Sequence, residues 1–522
     1  MFLDAVLHRN PELVAFAAEL HDSGAIPPDT YVMDRDAIEY NAALLAGEAD
    51  RLGLSLWFVV KQIGRNPELI EAIARHIPRF AAIDPPEARI LHAAGAQAGN
   101  LGHLVQIPAR ALPEMLAWRP ETVTVYDLAN ARAVSDAATR LGFVQDVLIR
   151  LEGASGAVYP GQEGGVRLGG GARLDGGARL GDGFRLDGDV RPGGNGRLVG
   201  GGQSGGPVGP DATDAMAGPY GPDFLGSTDA TGGPSATGGS RAMSGSRAAG
   251  DLSGTRGTAG PSNADEASRA DEASRAGGAR GPGAMGGTEA AVDDGYHDDR
   301  DDRYVGTDGL DAFLDEAERL PGIRVAGVTA FPCVLCDPET GEPRPTPNFA
   351  LALRAVDRLA ARGHTDLKLS APSATSMATL PLLARLGATH GEPGHALTGT
   401  TPLHAVDHGQ PERPAYVYVS EVAHTLADGR PALYGGGFYA RGGAREALIP
   451  RTGARLRVED APAANIDYYR LLAPGDARVG DTAVLAFRTQ VFVTRSTVAV
   501  VSGLSSGTPK LTGLYDPLGR PY

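Results

Sequence analysis

The chain contains three lysines, Lys61, Lys368 and Lys510, while arginine supplies nearly all of its other positive charge. Arginine stays protonated, whereas a desolvated lysine can lose its proton and become a nucleophilic amine, so a retained lysine invites a chemical reason. Lys61 closes the apolar run Leu56-Trp57-Phe58-Val59-Val60, and Lys368 is its competitor in another strand-like segment. The structural alternative is a strand-end lysine that snorkels to water. A second group of residues suggests an anion cradle: the small hydroxyl Ser373 in Ala371-Pro-Ser-Ala-Thr375, then the turn Gly391-Glu-Pro-Gly-His395. Backbone amides in such turns point readily at phosphate. Each segment taken alone is an ordinary turn, and their succession gives them weight. The only cysteines, Cys333 and Cys336, have no second pair or histidine cluster to complete a zinc site. They run from a strand into a proline-rich loop instead of opening a helix, which argues against a thioredoxin-type motif. Reduced, structural thiols are expected.

The elements that must position these residues alternate between strand and helix. Candidate strands are Tyr31–Asp34, Leu54–Lys61, Arg79–Ile83, Leu104–Ile107, Thr122–Tyr126, Asp146–Leu151, Arg324–Ala330 and Asp366–Leu369, most of them followed by a helical pattern. Eight such units close a (β/α)8 TIM-type barrel, whose active site lies at the C-terminal ends of its strands. Lys61 would then stand on the catalytic rim. Beyond Thr401 the alternating runs Ala415–Val422, Thr482–Phe487 and Val491–Thr494 read as a separate β-rich domain. The expected division is an N-terminal helical segment at 1–30, barrel at 31–164 and 307–402, and the C-terminal β-domain at 403–522.

Between the two barrel parts, residues 165–306 hold about half of the chain's 73 glycines, an imperfect GGARL repeat and an exact repeat of ADEASR. Such a segment buries too little apolar surface to offset its ordering entropy, so a long disordered insertion at a surface loop is expected. The chain as a whole has 522 residues, 42% of them hydrophobic, and a net charge of −15. That is enough chain for two cored domains, and the acidity opposes electrostatic nucleic-acid binding. Charged residues interrupt Met1–Ser23, which reads as an amphipathic helix and not a signal peptide, and no run of about 18 apolar residues occurs. A cytoplasmic enzyme is the expectation, with no membrane partner.

Four segments carry a family resemblance: Tyr31-Val-Met-Asp34 with Asn41 downstream, Val59-Val60-Lys61, Ala371-Pro-Ser-Ala-Thr375 and Gly391-Glu-Pro-Gly-His395. Together they resemble the YhfX family, a branch of the alanine-racemase-like (fold type III) enzymes that use pyridoxal 5'-phosphate, over most of the chain outside the insertion. The resemblance implies that Lys61 forms the Schiff base with the cofactor. It also implies that Ser373, the amides of Gly394 and His395, and more weakly Thr375, hold the phosphate. Glu392 falls where alanine racemases carry an arginine. A carboxylate there keeps the pyridine nitrogen protonated and makes the ring a stronger electron sink. Decarboxylases of this fold have such a glutamate but also use a C-terminal cysteine, and none follows Cys336.

Tyr434-Gly-Gly-Gly-Phe-Tyr-Ala-Arg441 resembles the racemase segment whose tyrosine serves the neighbouring subunit's substrate. The spacing is one residue longer, which makes Tyr434 the first choice for that role and Tyr439 the reserve. The implied protein is a homodimer with a shared site, acting at the α-carbon of an amino acid as a racemase or epimerase. A lyase of decarboxylase or aldolase type, or a non-catalytic cofactor carrier, are the competing readings. His103 is expected near a strand's start in a structural role. Arg65, His390, His404, Gln162 and Glu163 are further candidate substrate contacts.

Overall fold

The computed structural model describes residues 1–151, 172–173, 179–180, 309–337, 340–435, 437–439, 442–460 and 468–522. The architecture below belongs to the compact unit made of Met1–Asp189 and Gly295–Tyr522, and the second unit, Val190–Asp294, lies outside the described residues. The expected insertion also falls outside them, as do Gln162 and Glu163, apart from the antiparallel pair Ala172–Arg173 and Arg179–Leu180.

Eight parallel strands form the barrel: Ser55–Leu56, Arg79–Ala82, Gln97–Leu101, Thr122–Val125, Gln145–Leu151, Ile323–Ala330, Lys368–Ser370 and His390–Gly391. A parallel bridge between Phe58 and Phe80 closes the ring. The turns into the helices are written in capping residues. Asn66, Asp84 and Asp127 each accept an amide hydrogen from the first turn of the helix that follows, and Pro67 and Pro85 take early helical positions where no amide hydrogen is needed.

Alternation along the strands sorts inside from outside. Leu56, Phe58 and Val60 join the large core between strands and helices, whereas Trp57, Val59, Ala81 and Leu148 form a separate cluster within the barrel. Trp57 fits there because residue 99 is glycine, where a Cβ would come within 2.2 Å of the indole. The same period of two carries Lys61 and Arg150 onto the interior face at the strand ends.

Among the described residues the second layer is a nine-stranded sheet, and here two expectations are corrected. Thr30–Asp34 is a strand, but not of the barrel: it pairs with Tyr416–Thr425 on one side and Thr497–Ser502 on the other. All five of its residues are buried, so its run carries no polar face to say which sheet it joins. Leu104–Ile107 is a loop after Gln97–Leu101, and the missing barrel strand is the two-residue His390–Gly391, too short to show a period. The N-terminal segment is two helices, Phe2–Arg9 and Pro11–Asp22. They cover the far face of the sheet with Leu3, Val6, Leu13 and Ala17 against Val32, Val417 and Val501. Among the described residues no helix is long and apolar enough to cross a membrane.

Candidate active site

The strand of Lys61 and the strand entering Glu-Pro-Gly are direct neighbours. His390 pairs with Ser55 and Gly391 with Leu56, and the ladder continues as the Trp57 amide donates to the Gly391 carbonyl and the Val59 amide to that of Pro393. Lys61, Glu392 and Gly394 therefore emerge side by side on the C-terminal rim. Lys368 begins its strand at the opposite end, its ammonium 3.9 Å from Glu121 and 3.8 Å from Asp146. His390 is also turned to that end, its ring tilted against Trp57 at 4.2 Å between centroids and 3.4 Å from Glu121. Lys510 opens a strand at the sheet's edge.

Burial holds the Lys61 amine below the usual lysine range, against the pull of the Glu87 and Glu392 carboxylates. Glu87 is fully buried. Burial raises its carboxyl, opposed chiefly by Arg65, whose Nε lies 3.4 Å away while its Nη2 pairs with Asp84 at 3.0 Å. Arg65 is thus committed to two carboxylates beside the lysine.

Glu392 is held from three sides. Its amide donates to Thr375 Oγ1 at 3.0 Å, and Ser370 donates to its Oε1 at 3.1 Å. Its Oε2 lies 2.9 Å from His103 Nδ1, yet the alignment is not that of a hydrogen bond, and both atoms are buried without a hydrogen-bonding partner. Burial lowers the His103 pKa against the attraction of Glu392. His103 follows the end of Gln97–Leu101 on the catalytic rim, not a strand's start as expected. Its carbonyl accepts from Arg150 Nη1 at 3.3 Å, and its ring meets Phe331 edge-on.

Ser373 and Ala374 both take the left-handed backbone region, at φ 89° and 51°, a conformation that non-glycine residues adopt only when held. The Ser373 hydroxyl does the holding: it accepts from the amides of Cys333 and Val334, each at 3.0 Å, and donates to the Val334 carbonyl at 2.8 Å. At Gly394 a Cβ would lie 3.0 Å from the Gln62 amide group. The turn that starts there makes its own backbone bonds from Leu397 onward, which leaves the amides of Gly394, His395 and Ala396 at its open end.

Tyr434 lies at the end of Pro431–Tyr434, opposite Tyr469, and is 52% exposed. Tyr439 is partly buried and faces Arg488. His404 lies between Thr401 and the Glu412 carbonyl. Glu87, Arg150 and Arg488 were not among the residues expected from the sequence. Arg150 and Arg488 show the signal that marked Lys61, an apolar run ending in a cation, as in Val147-Leu-Ile-Arg150 and Ala483-Val-Leu-Ala-Phe-Arg488. Glu87 carries no such mark.

Residues 33–155 match the model of the alanine racemase N-terminal domain, a family that binds pyridoxal phosphate. Residues 417–511 match that of the YhfX-like C-terminal domain. Among solved structures, D-threonine aldolase from Filomicrobium marinum is similar in fold, with a TM-score of 0.50 at 12% identity over 94% of this chain and 95% of that one. D-threo-3-hydroxyaspartate dehydratase from Delftia sp. HT23 has a TM-score of 0.50 at 14% identity, covering 93% and 96%. The chain is 31% identical over 527 residues to the uncharacterized protein YhfX of Escherichia coli strain K12, spanning 100% of this chain and 99% of that protein. With that identity along the whole length, on the barrel and β-domain just described, the chain belongs to the YhfX family.

Proposed function

We propose that the protein is a pyridoxal-phosphate-dependent enzyme acting at the α-carbon of an amino acid, as a racemase or epimerase, with Lys61 as the residue that binds the cofactor. The observation that carries this is Lys61 itself: it opens the turn that follows Ser55–Leu56 and the Phe58 bridge, on the rim where barrels do chemistry, with an amine whose proton is weakened by burial. The surrounding residues fit the cofactor. The buried Gln62 Oε1 has no hydrogen-bond partner and costs about 1–3 kcal/mol until something satisfies it; Glu392 Oε2 and His103 Nδ1 face each other at 2.9 Å, and all three residues lie around the Lys61 rim.

When bound, the cofactor supplies an electron sink for the pair of electrons left at the α-carbon once its proton departs. Glu392 holds a proton at the ring nitrogen, its carboxylate set by Ser370 and its backbone by Thr375. The Gly394–His395 turn receives the phosphate on its free amides. Lys61 would hold the cofactor and would take or return the α-proton on one face. Tyr434 serves the opposite face in a second copy of the chain, consistent with its exposure. A lyase would use the same cofactor contacts and differ in the bond broken.

Borohydride reduction of the protein with pyridoxal phosphate, followed by peptide mass spectrometry, tests the assignment. Modification is expected at Lys61 and not at Lys368 or Lys510, and Lys61→Ala should abolish it. Folded protein without an adduct at Lys61 would remove the central claim. With the adduct in hand, solvent-deuterium exchange at the α-carbon without loss of substrate mass separates racemisation from cleavage.

A further inference from the structure

A phosphate dianion calls for a positive charge as well as amides, and the turn that would receive it has none of its own. Ser373 spends its hydroxyl on the Cys333–Val334 backbone, and Thr375 accepts the Glu392 amide. The His395 imidazole is pushed well below its ordinary pKa, by burial first and then by the cations of Arg488 and Lys61, so it stands neutral. Two cations near the rim are already committed. Arg65 pairs with Asp84 and lies beside Glu87, and Arg150 donates to the carbonyls of His103 and Phe331.

Like both, Arg488 has a buried Nε without a hydrogen-bond partner, but it differs in that its guanidinium makes no side-chain hydrogen bond or ion pair among the described residues. Among the described residues the ionisable groups facing it are Tyr416, Tyr439 and Cys336, with no carboxylate. A desolvated guanidinium with no anion is costly and calls for one. Its backbone is tied to the same turn across the domain boundary. His395 Nδ1 lies 3.3 Å from Thr400 Oγ1, the Ala415 amide donates to the Thr398 carbonyl of the same turn at 3.0 Å, Thr400 lies beside the next residue, Tyr416, and Tyr416 donates to the Phe487 carbonyl, the group that precedes Arg488. The Arg488 amide is fixed in turn by the Gly442 carbonyl at 3.1 Å.

We propose that Arg488, reaching from the C-terminal β-domain, is the cation that binds the cofactor's phosphate at the Gly394–His395 turn, with Thr400 and Tyr416 tethering it there. This rests on the reading of the protein as a pyridoxal phosphate enzyme. It makes the phosphate a link between barrel and β-domain, so that the aldehyde on Lys61 is positioned by both.

The test compares pyridoxal phosphate with pyridoxal, which has the same aldehyde and ring but no phosphate. Each is titrated into the apoprotein by absorbance and then trapped on Lys61 with borohydride. The wild-type chain should prefer the phosphorylated form. Arg488→Gln should lower that preference about 10- to 100-fold, the scale of a charge-assisted hydrogen bond, with pyridoxal affinity unchanged. Should Arg488→Gln fail to fold by circular dichroism, Arg488→Met, which keeps the packing of the stem, takes its place with the same expectation. A folded variant that retains the wild-type preference, or that weakens both ligands equally, overturns the assignment. Loss of folding in both variants also overturns it, by placing Arg488 in the structural core. Absence of any Lys61 adduct in the wild type would instead overturn the cofactor reading itself, which keeps the two failures apart.

Discussion

At the scale of single residues, the site is a set of side chains whose ordinary behaviour is altered by burial and whose free atoms point to a missing partner. Glu392 is one of them. Thr375 and Ser370 fix it while its Oε2 faces His103 Nδ1 at 2.9 Å. A carboxylate so held can keep a proton on a ring nitrogen, and a carboxamide of nearly the same shape cannot. Glu392→Gln is therefore expected to preserve trapping of pyridoxal phosphate on Lys61 while slowing α-proton exchange by about 10²- to 10⁴-fold. Exchange at the wild-type rate in that variant would remove Glu392 from the electronic mechanism. What was legible at this scale was rarity: three lysines in the chain made Lys61 visible, and its position after an apolar run gave it a place. Arg150 and Arg488 likewise follow apolar runs, within Gln145–Leu151 and after Thr482–Leu485, but arginine is common here and the signal was diluted. Ser373 shows the opposite limit. Its residue type suggested a ligand contact, and only coordinates reveal a hydroxyl occupied by the backbone of 333–334.

At the scale of elements, the barrel is set by strands that alternate inside and outside, with capping residues that start each helix. Much of this was readable, because Leu54–Lys61 and Thr122–Tyr126 announce themselves as apolar runs of strand length. Thr30–Asp34 could be read as a strand but not assigned to a sheet, since burial on both faces erases the distinction between barrel and β-domain. His390–Gly391 has two residues, and no periodicity exists to be read from two. Local conformation within a strand is also hidden. Gly327 sits in Ile323–Ala330 where the pairing with Gln145–Leu151 shifts register, at φ 152°, and a Cβ there would lie 1.9 Å from the Lys368 carbonyl oxygen. Only glycine fits such a bulge. Gly327→Ala should cost about 3 kcal/mol or more, since the atom it meets is a neighbouring strand's backbone and cannot rotate away. Gly47, within Arg35–Leu52 and with open space around it, gives the contrast: Gly47→Ala should stabilise by about 0.5–1 kcal/mol. Urea midpoints measure both, and similar values for the two variants would contradict the bulge argument.

At the scale of the whole molecule, the question is whether one chain holds a complete site. Lys61, Glu392 and the Gly394 turn lie together on one barrel rim, and the tether through Thr400 and Tyr416 brings Arg488 to it from the same chain. Tyr434 does not belong to that group: it ends the strand Pro431–Tyr434, half exposed, opposite Tyr469. If the acid on the second face of the substrate is Tyr434, it has to come from a second copy, and each site then takes Lys61 from one subunit and Tyr434 from the other. That arrangement makes a quantitative prediction for mixed dimers. Lys61→Ala and Tyr434→Phe are each expected to lack racemisation as pure dimers, the second while still binding cofactor and exchanging the α-proton on the face that Lys61 serves. Mixed one to one and allowed to exchange subunits, half of the dimers are hybrids, and each hybrid has one site with both residues intact. About a quarter of all sites should then recover activity, as symmetry requires for a site shared across a two-fold axis. The readout is formation of the opposite enantiomer from each of a panel of amino acids, compared before and after mixing. If the mixture stays inactive while the wild type racemises, lysine and tyrosine act within one chain or Tyr434 does not act at all. Tyr439, which faces Arg488 from within the same chain, would then be the residue to replace next.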